Sequence, residues 1–516
     1  MQTTPRTSEG FVWTPASGVR RGLLKSKGVV EPPVSFANES DHLYDVIVIG
    51  GGYAGLMAAR ETSEAGFSTL MLEARDRVGG RVWTAEVDGY NYEMGGTWVT
   101  HWMGYLQKEM ERYGMANDLI LTKTPDGGAD YFTLDTGRGP RRLSLEEAGR
   151  KQVHAWDVFV NVDGQQGRAV CPLPHSQLDN VRVDRRLVEH LDKQTCRDRY
   201  EEIKGQLDED EGALLQSLLL HISGGNLDNS SLWDMVRSHA LMGHSSDNFE
   251  DVWLLYKLRQ GQSELTRRMF DESVEYGLDY SFSTPIRSVS DTGRFVAVND
   301  TRGRTYRARR VICTVPLNVL HSIRFEPPLS ATRQEAIKIG HVNHMTKVHA
   351  EVDGKLAGLR ACTYPGELLY AYGDGMLPNG NTHIVAFGAD ERPHFVPEEH
   401  PDKVVTALKR FHPMEVRRMV FHNWNTDPYA QAGPAWWQPG FLTEYQEELQ
   451  SRHGNVFFAS ADWAHGWRAA IDGALEQGFL NALEAKRELR RMSTAARSRD
   501  QRSVRELYKG LNGVKL

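Results

Sequence analysis

Gly50, Gly52 and Gly55 stand as G-x-G-x-x-G at the end of an apolar run, "YDVIVIG". Glycines at this spacing after a strand suit the holding of a dinucleotide's phosphates. The first makes the tight turn off the strand, the second lets backbone approach the pyrophosphate, and the third lets the next helix pack close. That helix, opening with Tyr53 and Ala54, would turn free N–H groups and a positive dipole end to the phosphates. An acid should follow about 20 residues on, to bind ribose hydroxyls. Glu73, followed by Ala74, lies 18 residues after Gly55 (73 − 55). A glycine-rich turn without a ligand is the bland alternative, and strand, helix and acid together outweigh it.

These residues need a βαβ unit to position them. "YDVIVIG" reads as a buried parallel strand, residues 53–65 as a helix ended by Gly66, and "STLMLEA" as the next strand. Residues 121–270 read as mostly helical, with "EGALLQSLLLHI" and "FEDVWLLYKLRQ" the clearest segments. Strand character returns in "YSFSTPIRSVSD", "RVICTVPLNVL", "MTKVHAEV", "LLYAYGDG", "THIVAFG" and "GNVFFASADW", and "IDGALEQGFLNALEAKREL" reads as a helix.

The chain has 516 residues, enough for two or three domains, and a net charge of −7 that gives no reason to expect nucleic acid. It holds no apolar run long enough to span a membrane, and its polar start lacks the apolar core of a secretory signal. Cys171, Cys196, Cys313 and Cys362 are widely spaced and form no C-x-x-C, so reduced thiols are expected rather than disulfides or zinc. His341, His344 and His349 cluster in sequence, but on a strand 341 and 344 would point to opposite faces, so no metal is expected.

"EARDRVGGR" places Arg75, Gly80 and Arg81 just after the acid, and "YEMGGTWV" adds Gly95, Gly96, Thr97 and Trp98. With "TVPLNVL", "GHVNHMTKVHAEVD", "FHNW" and "VFFASADWAHGWRAAIDGALEQG", these segments resemble the flavin-dependent amine oxidases, the fungal monoamine oxidases most closely, over residues 10 to about 485. The resemblance implies an α/β fold with a Rossmann-type FAD-binding domain, two-domain as in glutathione reductase, and a mixed-sheet plus helical substrate domain. On this reading residues 1–42 form an extended arm. Residues 43–120, 270–330 and 445–485 form the FAD domain, 121–269 and 331–444 the substrate domain, and 486–516 a basic tail. Arg81 would approach the diphosphate, Gly95–Gly96 would pass the flavin, and Asp462 would serve the ribityl–phosphate region. Ile286 would meet the adenine and Ile471 the flavin ring.

Lys347 matches the family lysine that holds a water against flavin N5, and Trp424 the flavin-flanking tryptophan. Composition alone would make the first a surface lysine and the second packing. The stretch 424–440, where mammalian enzymes carry a flavin-linking cysteine, contains none, so non-covalent FAD is expected. The implied reaction is oxidation of an amine to an imine, then a carbonyl compound, with oxygen reduced to hydrogen peroxide. The chain carries no second glycine motif for a nicotinamide, which favours electrons drawn from the substrate.

The family's two substrate-holding rings fall here on Ala470 and Pro434, so at least one wall is missing. Trp436 or Trp437 could fill the gap, or the pocket is wider and takes a bulky or cyclic amine; Asn343 is also expected there. A polyamine or L-amino-acid oxidase is an alternative, though the register turns Arg468, the nearest candidate for a carboxylate, away. A non-catalytic flavin-fold binding module is less favoured. The expected partners are a small amine and molecular oxygen. The sequence leaves oligomeric state open, a homodimer included. It also leaves open a cytoplasmic or peroxisomal location, because Val514-Lys515-Leu516 is an off-pattern peroxisomal signal.

Overall fold

The computed structural model describes residues 4–36, 42–122, 131–173, 183–389 and 395–511, with side chains to residue 494. Its mixed α/β architecture rests on two large sheets. The centre of the first is Leu43–Ile49, whose Val46, Ile47 and Val48 are fully buried. A strand covered on both faces demands such an unbroken apolar run. Thr69–Leu72 and then Asp279–Ser281 extend this sheet in parallel on one side. On the other side runs the long strand Thr305–Cys313, also parallel. Its far edge is shared by Val296–Asp300, antiparallel, and Val456–Phe458, parallel. Ile286–Asp291 and Arg324–Glu326 complete the eight strands. Helix Tyr53–Glu64 packs beside this sheet against the long helix Ile471–Leu511.

The second sheet has nine strands. Its middle is Tyr370–Met376, Thr382–Gly388, Thr346–Val352 and Val416–Phe421, all antiparallel neighbours. The helices Leu145–Val160, Glu209–Ser223, Leu232–Leu241 and Phe249–Trp253 lie between the two sheets in sequence.

The structure departs from the expected elements in three places. The described part of the expected arm, residues 4–36, does more than lie over the surface: the hairpin of Phe11–Thr14 and Gly18–Arg21 extends the nine-stranded sheet through Val416–Phe421. Arg6–Thr7 and Leu24–Lys25 join a separate four-stranded sheet. "FEDVWLLYKLRQ" is helical only over Phe249–Trp253. Tyr256–Leu258 is a strand pairing Leu119–Leu121 and Trp98–Val99, because cross-strand partners bury Leu258 where a helix would need a continuous apolar face. His341 and His344 precede the strand that opens at Thr346, so the opposite-face argument does not apply to them. Among the described residues no helix is long and apolar enough to cross a membrane. Val514-Lys515-Leu516 lies outside the described residues.

Candidate active site

A cavity of about 640 Å³ runs between the two sheets, and the glycine loop opens into it. At Gly50 and Gly55 the protein itself demands glycine. Gly50 has φ +106°, and a Cβ on Gly55 would sit 1.9 Å from the carbonyl oxygen of Gly50. Gly52 is different. Its φ of −76° suits any residue, and a Cβ there would find no protein atom closer than 3.8 Å. The space beside it is cavity, which is the space a close-lying phosphate needs.

The start of the adjoining helix points the same way. Helices Leu145–Val160, Glu209–Ser223 and Leu232–Leu241 are capped by side chains of Ser144, Asp208 and Ser231. Helix Tyr53–Glu64 begins at Gly52 with no side-chain cap, although its first residues are buried. Buried, uncapped N–H groups call for an external acceptor. Glu73 follows at the end of the next strand, accepting the N–H of Gly51 and, at 2.8 Å, that of Arg75. Burial raises its pKa, and Arg75 and these two N–H groups oppose the rise. These observations fit a bound dinucleotide.

The same cavity is lined by Tyr53, Ala54, Ala74, Arg75, Gly80, Arg81, Gly95, Gly96, Thr97, Trp98, Ile286, Lys347, Trp424, Pro434, Trp436, Ala470 and Ile471, drawn together from across the chain. Arg75 is not free for a phosphate: Asp427 accepts from it twice, at 2.8 and 2.7 Å, and Glu9 accepts as well. Arg81 donates to the carbonyl of Gly433 at 2.9 Å and to Asp462 at 2.5 Å. Asp462 stands behind Arg81 and outside the lining. Burial pushes its carboxyl up, but Arg81 and His341 outweigh that and hold it below the usual range.

Lys347 is buried and donates to Glu93 O at 2.7 Å, Gly95 O at 3.0 Å and Thr97 Oγ1 at 2.7 Å. Burial pulls its pKa down, while Glu93 opposes the fall. Trp424 donates its indole N–H to Met94 O at 2.8 Å, and its ring would lie 3.1 Å from a Cβ on Gly95. Lysine and tryptophan thus both grip the segment that carries Gly95–Gly96.

Of the five residues expected at the substrate end, Pro434, Trp436 and Ala470 line the cavity and Asn343 and Trp437 do not. Asn343 is fully buried, its Oδ1 accepting the N–H of Met345 at 3.0 Å. Trp437 donates to Asp462 O at 3.0 Å and is covered by the Arg468 guanidinium, 3.5 Å from its ring centre. Of the two tryptophans expected to fill the gap, Trp436 therefore lines the cavity and Trp437 does not. Arg468, expected to turn away, lines the cavity.

Sequence reasoning missed Ile222, Arg237, Leu241, Trp253 and Phe387, which also line it. Four of these belong to the helical region, where an apolar pattern reports burial but not what is faced. The one available signal was a pair of charges, Asp234 and Arg237, in a helix that is otherwise apolar enough to be core; all ten of its residues are buried. Among the described residues His341, His344 and His349 do not come together as a set of possible ligands. His349 bonds His383 at 2.8 Å, and His341 is pulled down to about 3 by burial. All four cysteines are buried free thiols, and none lines the cavity.

Comparison with known proteins agrees with this geometry. The family model for flavin-containing amine oxidoreductases matches residues 53–484. Nicotine dehydrogenase of Pseudomonas putida is 29% identical over 462 residues, covering 86% of this chain and 89% of that protein. Putrescine oxidase of Kocuria rosea is 27% identical over 480 residues, covering 85% and 94%. The solved structure of cyclohexylamine oxidase from Brevibacterium oxydans superposes with a TM-score of 0.70 at 18% identity, covering 87% of this chain and 100% of that one. The uncapped helix and the acid after it are the features an FAD-binding member would need, and the chain belongs to the flavin-containing amine oxidoreductases.

Proposed function

We propose that the chain is an oxidase of single amines that uses oxygen as acceptor and holds FAD without a covalent bond. The observation that carries this reading is Lys347 on the cavity wall, beside Gly95–Thr97. The substrate loses two electrons and two protons to become an imine, water turns the imine into a carbonyl compound, and oxygen takes up the electrons and protons as hydrogen peroxide. FAD, when bound, supplies the two-electron acceptor.

The chain's residues do the rest. Glu73, Gly52 and the first turn of the Tyr53 helix hold the dinucleotide, with Arg81 at the diphosphate and Ile286 at the adenine. Ile471, Gly96 and Trp424 confine the ring system. Lys347 keeps a cation beside it, where negative charge grows as oxygen is reduced. Trp436 supplies one wall for the amine, and Ala470 leaves the facing wall open, which suits a bulky or cyclic group. Among the described residues Glu73 is the one carboxylate lining the cavity, and it is assigned to the ribose. No anion is left there to hold an ammonium, so the site takes the amine neutral. Non-covalent attachment is supported by the four cysteines, all away from the cavity.

The test is peroxide release from a panel of linear, aromatic and cyclic amines. Turnover without peroxide, but with an added electron-accepting dye, would favour a dehydrogenase instead. That second reading is motivated by the Pseudomonas relatives, which are named dehydrogenases.

A further inference from the structure

At Arg237 and Arg468 the cavity wall carries more positive charge than the protein neutralises. Arg237 and Arg468 are 3% and 4% exposed, and both line the cavity. Asp234 lies between them. Arg468 donates to its Oδ1, while Arg237 Nη1 stands 4.0 Å from that same oxygen. The other carboxylate oxygen accepts the N–H of Trp437 at 2.8 Å. Among the described residues, Arg237 bonds beyond Asp234 to the carbonyl of Gly466, and Arg468 Nε is buried with no partner. Glu476, which also acts on Arg237, is outside the lining and accepts from the N–H groups of His465 and Gly466. Asp192, which acts on Arg468, is likewise outside the lining and is occupied by Thr443. Two wall guanidiniums therefore share one carboxylate, Asp234, which stands outside the lining. Burial and the proximity of Arg468 pull Arg237 down to about 10, which leaves it charged at neutral pH.

Buried cations with unspent donors are costly unless an anion completes them. Guanidinium is also the side chain whose planar fork matches a carboxylate. We propose that Arg237 and Arg468 bind a carboxylate of the substrate, so that the amine oxidised here is carried by an acid. This rests on the amine-oxidase reading and narrows it. A diamine fits poorly, since its second ammonium would meet two arginines and no wall carboxylate.

Two measurements on the FAD-loaded enzyme test this. The first is calorimetric binding of hexanoate against hexanamide, which requires no turnover. Hexanoate should bind at least about tenfold more tightly, the discrimination expected of one charge-assisted pair. Arg237→Met should abolish the difference and Arg237→Lys should keep part of it. Equal binding of acid and amide by the wild type would overturn the proposal, whatever the variants do. The second is kcat/KM for phenylalanine, leucine, γ-aminobutyrate and ε-aminohexanoate, each against the amine lacking its carboxylate. At least one acid should exceed its partner by about tenfold, and Arg237→Met should lower that ratio, with the neutral amine as the control for folding and FAD loading. If every neutral amine wins, the carboxylate site is wrong and the amine oxidase stands. If nothing is oxidised yet hexanoate binds selectively, the amine-oxidase reading fails and the anion site survives.

Discussion

Lys347 spends all three of its ammonium protons on acceptors from residues 93–97, which makes it both a charge and a clamp. Lys347→Met removes the charge while keeping most of the stem. Reoxidation of the cofactor by oxygen should slow by roughly 10²-fold, the usual cost of losing one stabilising group of this kind. Reduction by amine should change far less. Burial pulls the lysine below its ordinary 10.5, against the opposing pull of Glu93. The charged form is therefore lost at a lower pH than for a free lysine, and the wild-type oxygen rate should fall as pH rises, whereas the Met variant should show no such fall. Rapid mixing separates the two half-reactions, and an unchanged oxygen rate would make Lys347 structural. Ala470 tests the open wall. Ala470→Phe should favour small linear amines, held closer to the reacting position, and penalise bulky cyclic ones, because a close-packed site cannot absorb a ring without strain. The readout is the ratio of kcat/KM for the two classes. A uniform fall in both would mean that residue 470 merely packs.

At the scale of elements, one buried ionic cluster ties three segments together. Glu9 before the N-terminal hairpin, Arg75 and Arg77 from the loop after Glu73, and His422 and Asp427 beside Trp424 all meet there. Arg75 also lies over the rings of Trp424 and Tyr429, at 5.8 and 5.3 Å. The cluster therefore sets where the Trp424 loop stands relative to the dinucleotide loop. The three acidic and histidine members have the spacing of a cation site, but the guanidiniums already fill that role. Burial opposes ionisation of Asp427, yet His422 and Arg75 hold its carboxyl well below the ordinary 3.8. Its stabilisation is then fully present above about pH 4 and is lost only as pH falls through the lower folded value. Asp427→Ala should cost about 3–5 kcal/mol at pH 7, because Arg75 would be left buried with a weakened partner set. The gap from wild type should be the same at pH 5 and narrow only under more acidic conditions. Thermal unfolding at several pH values checks both statements, and a gap that closes between pH 7 and 5 would contradict the assignment.

For the whole molecule, the cavity wall comes from residues near 50, 80, 95, 286, 347, 424 and 470, so bound FAD would join both large sheets. Ligand that binds only the folded state stabilises it, by about 2.7 kcal/mol at 100 times Kd. The FAD-loaded protein should melt above the stripped protein, by an increment that grows with free FAD. Acid precipitation should leave the yellow colour in the supernatant, and colour retained in the pellet would refute non-covalent binding. Glu73→Ala should weaken FAD affinity by about 1.5–3 kcal/mol, the worth of a hydrogen bond to a charged group. Full occupancy at unchanged affinity would remove Glu73 from the ribose.

Local sequence determined the dinucleotide unit. The run at 43–49, the glycines at 50, 52 and 55 and the acid at 73 lie within one βαβ unit, where chain connectivity alone sets the spacing. The long motifs carried Lys347, Trp424 and Ala470 to the same cavity for a similar reason, since each is embedded in a segment specific enough to identify. Contacts between distant segments were beyond that reach. Tyr256–Leu258 is a strand because Trp98–Val99 and Leu119–Leu121 stand beside it, not because of its own pattern. Asn343 and Trp437 fall outside the cavity while Trp436 lines it, since one step along an irregular loop reverses what a side chain faces. Arg237 and Arg468 are 231 positions apart (468 − 237) and share Asp234 only after folding. A sequence shows that a charge is present; only the tertiary structure decides whether its partner is a neighbour, solvent or a substrate, because that depends on which other charges are buried with it.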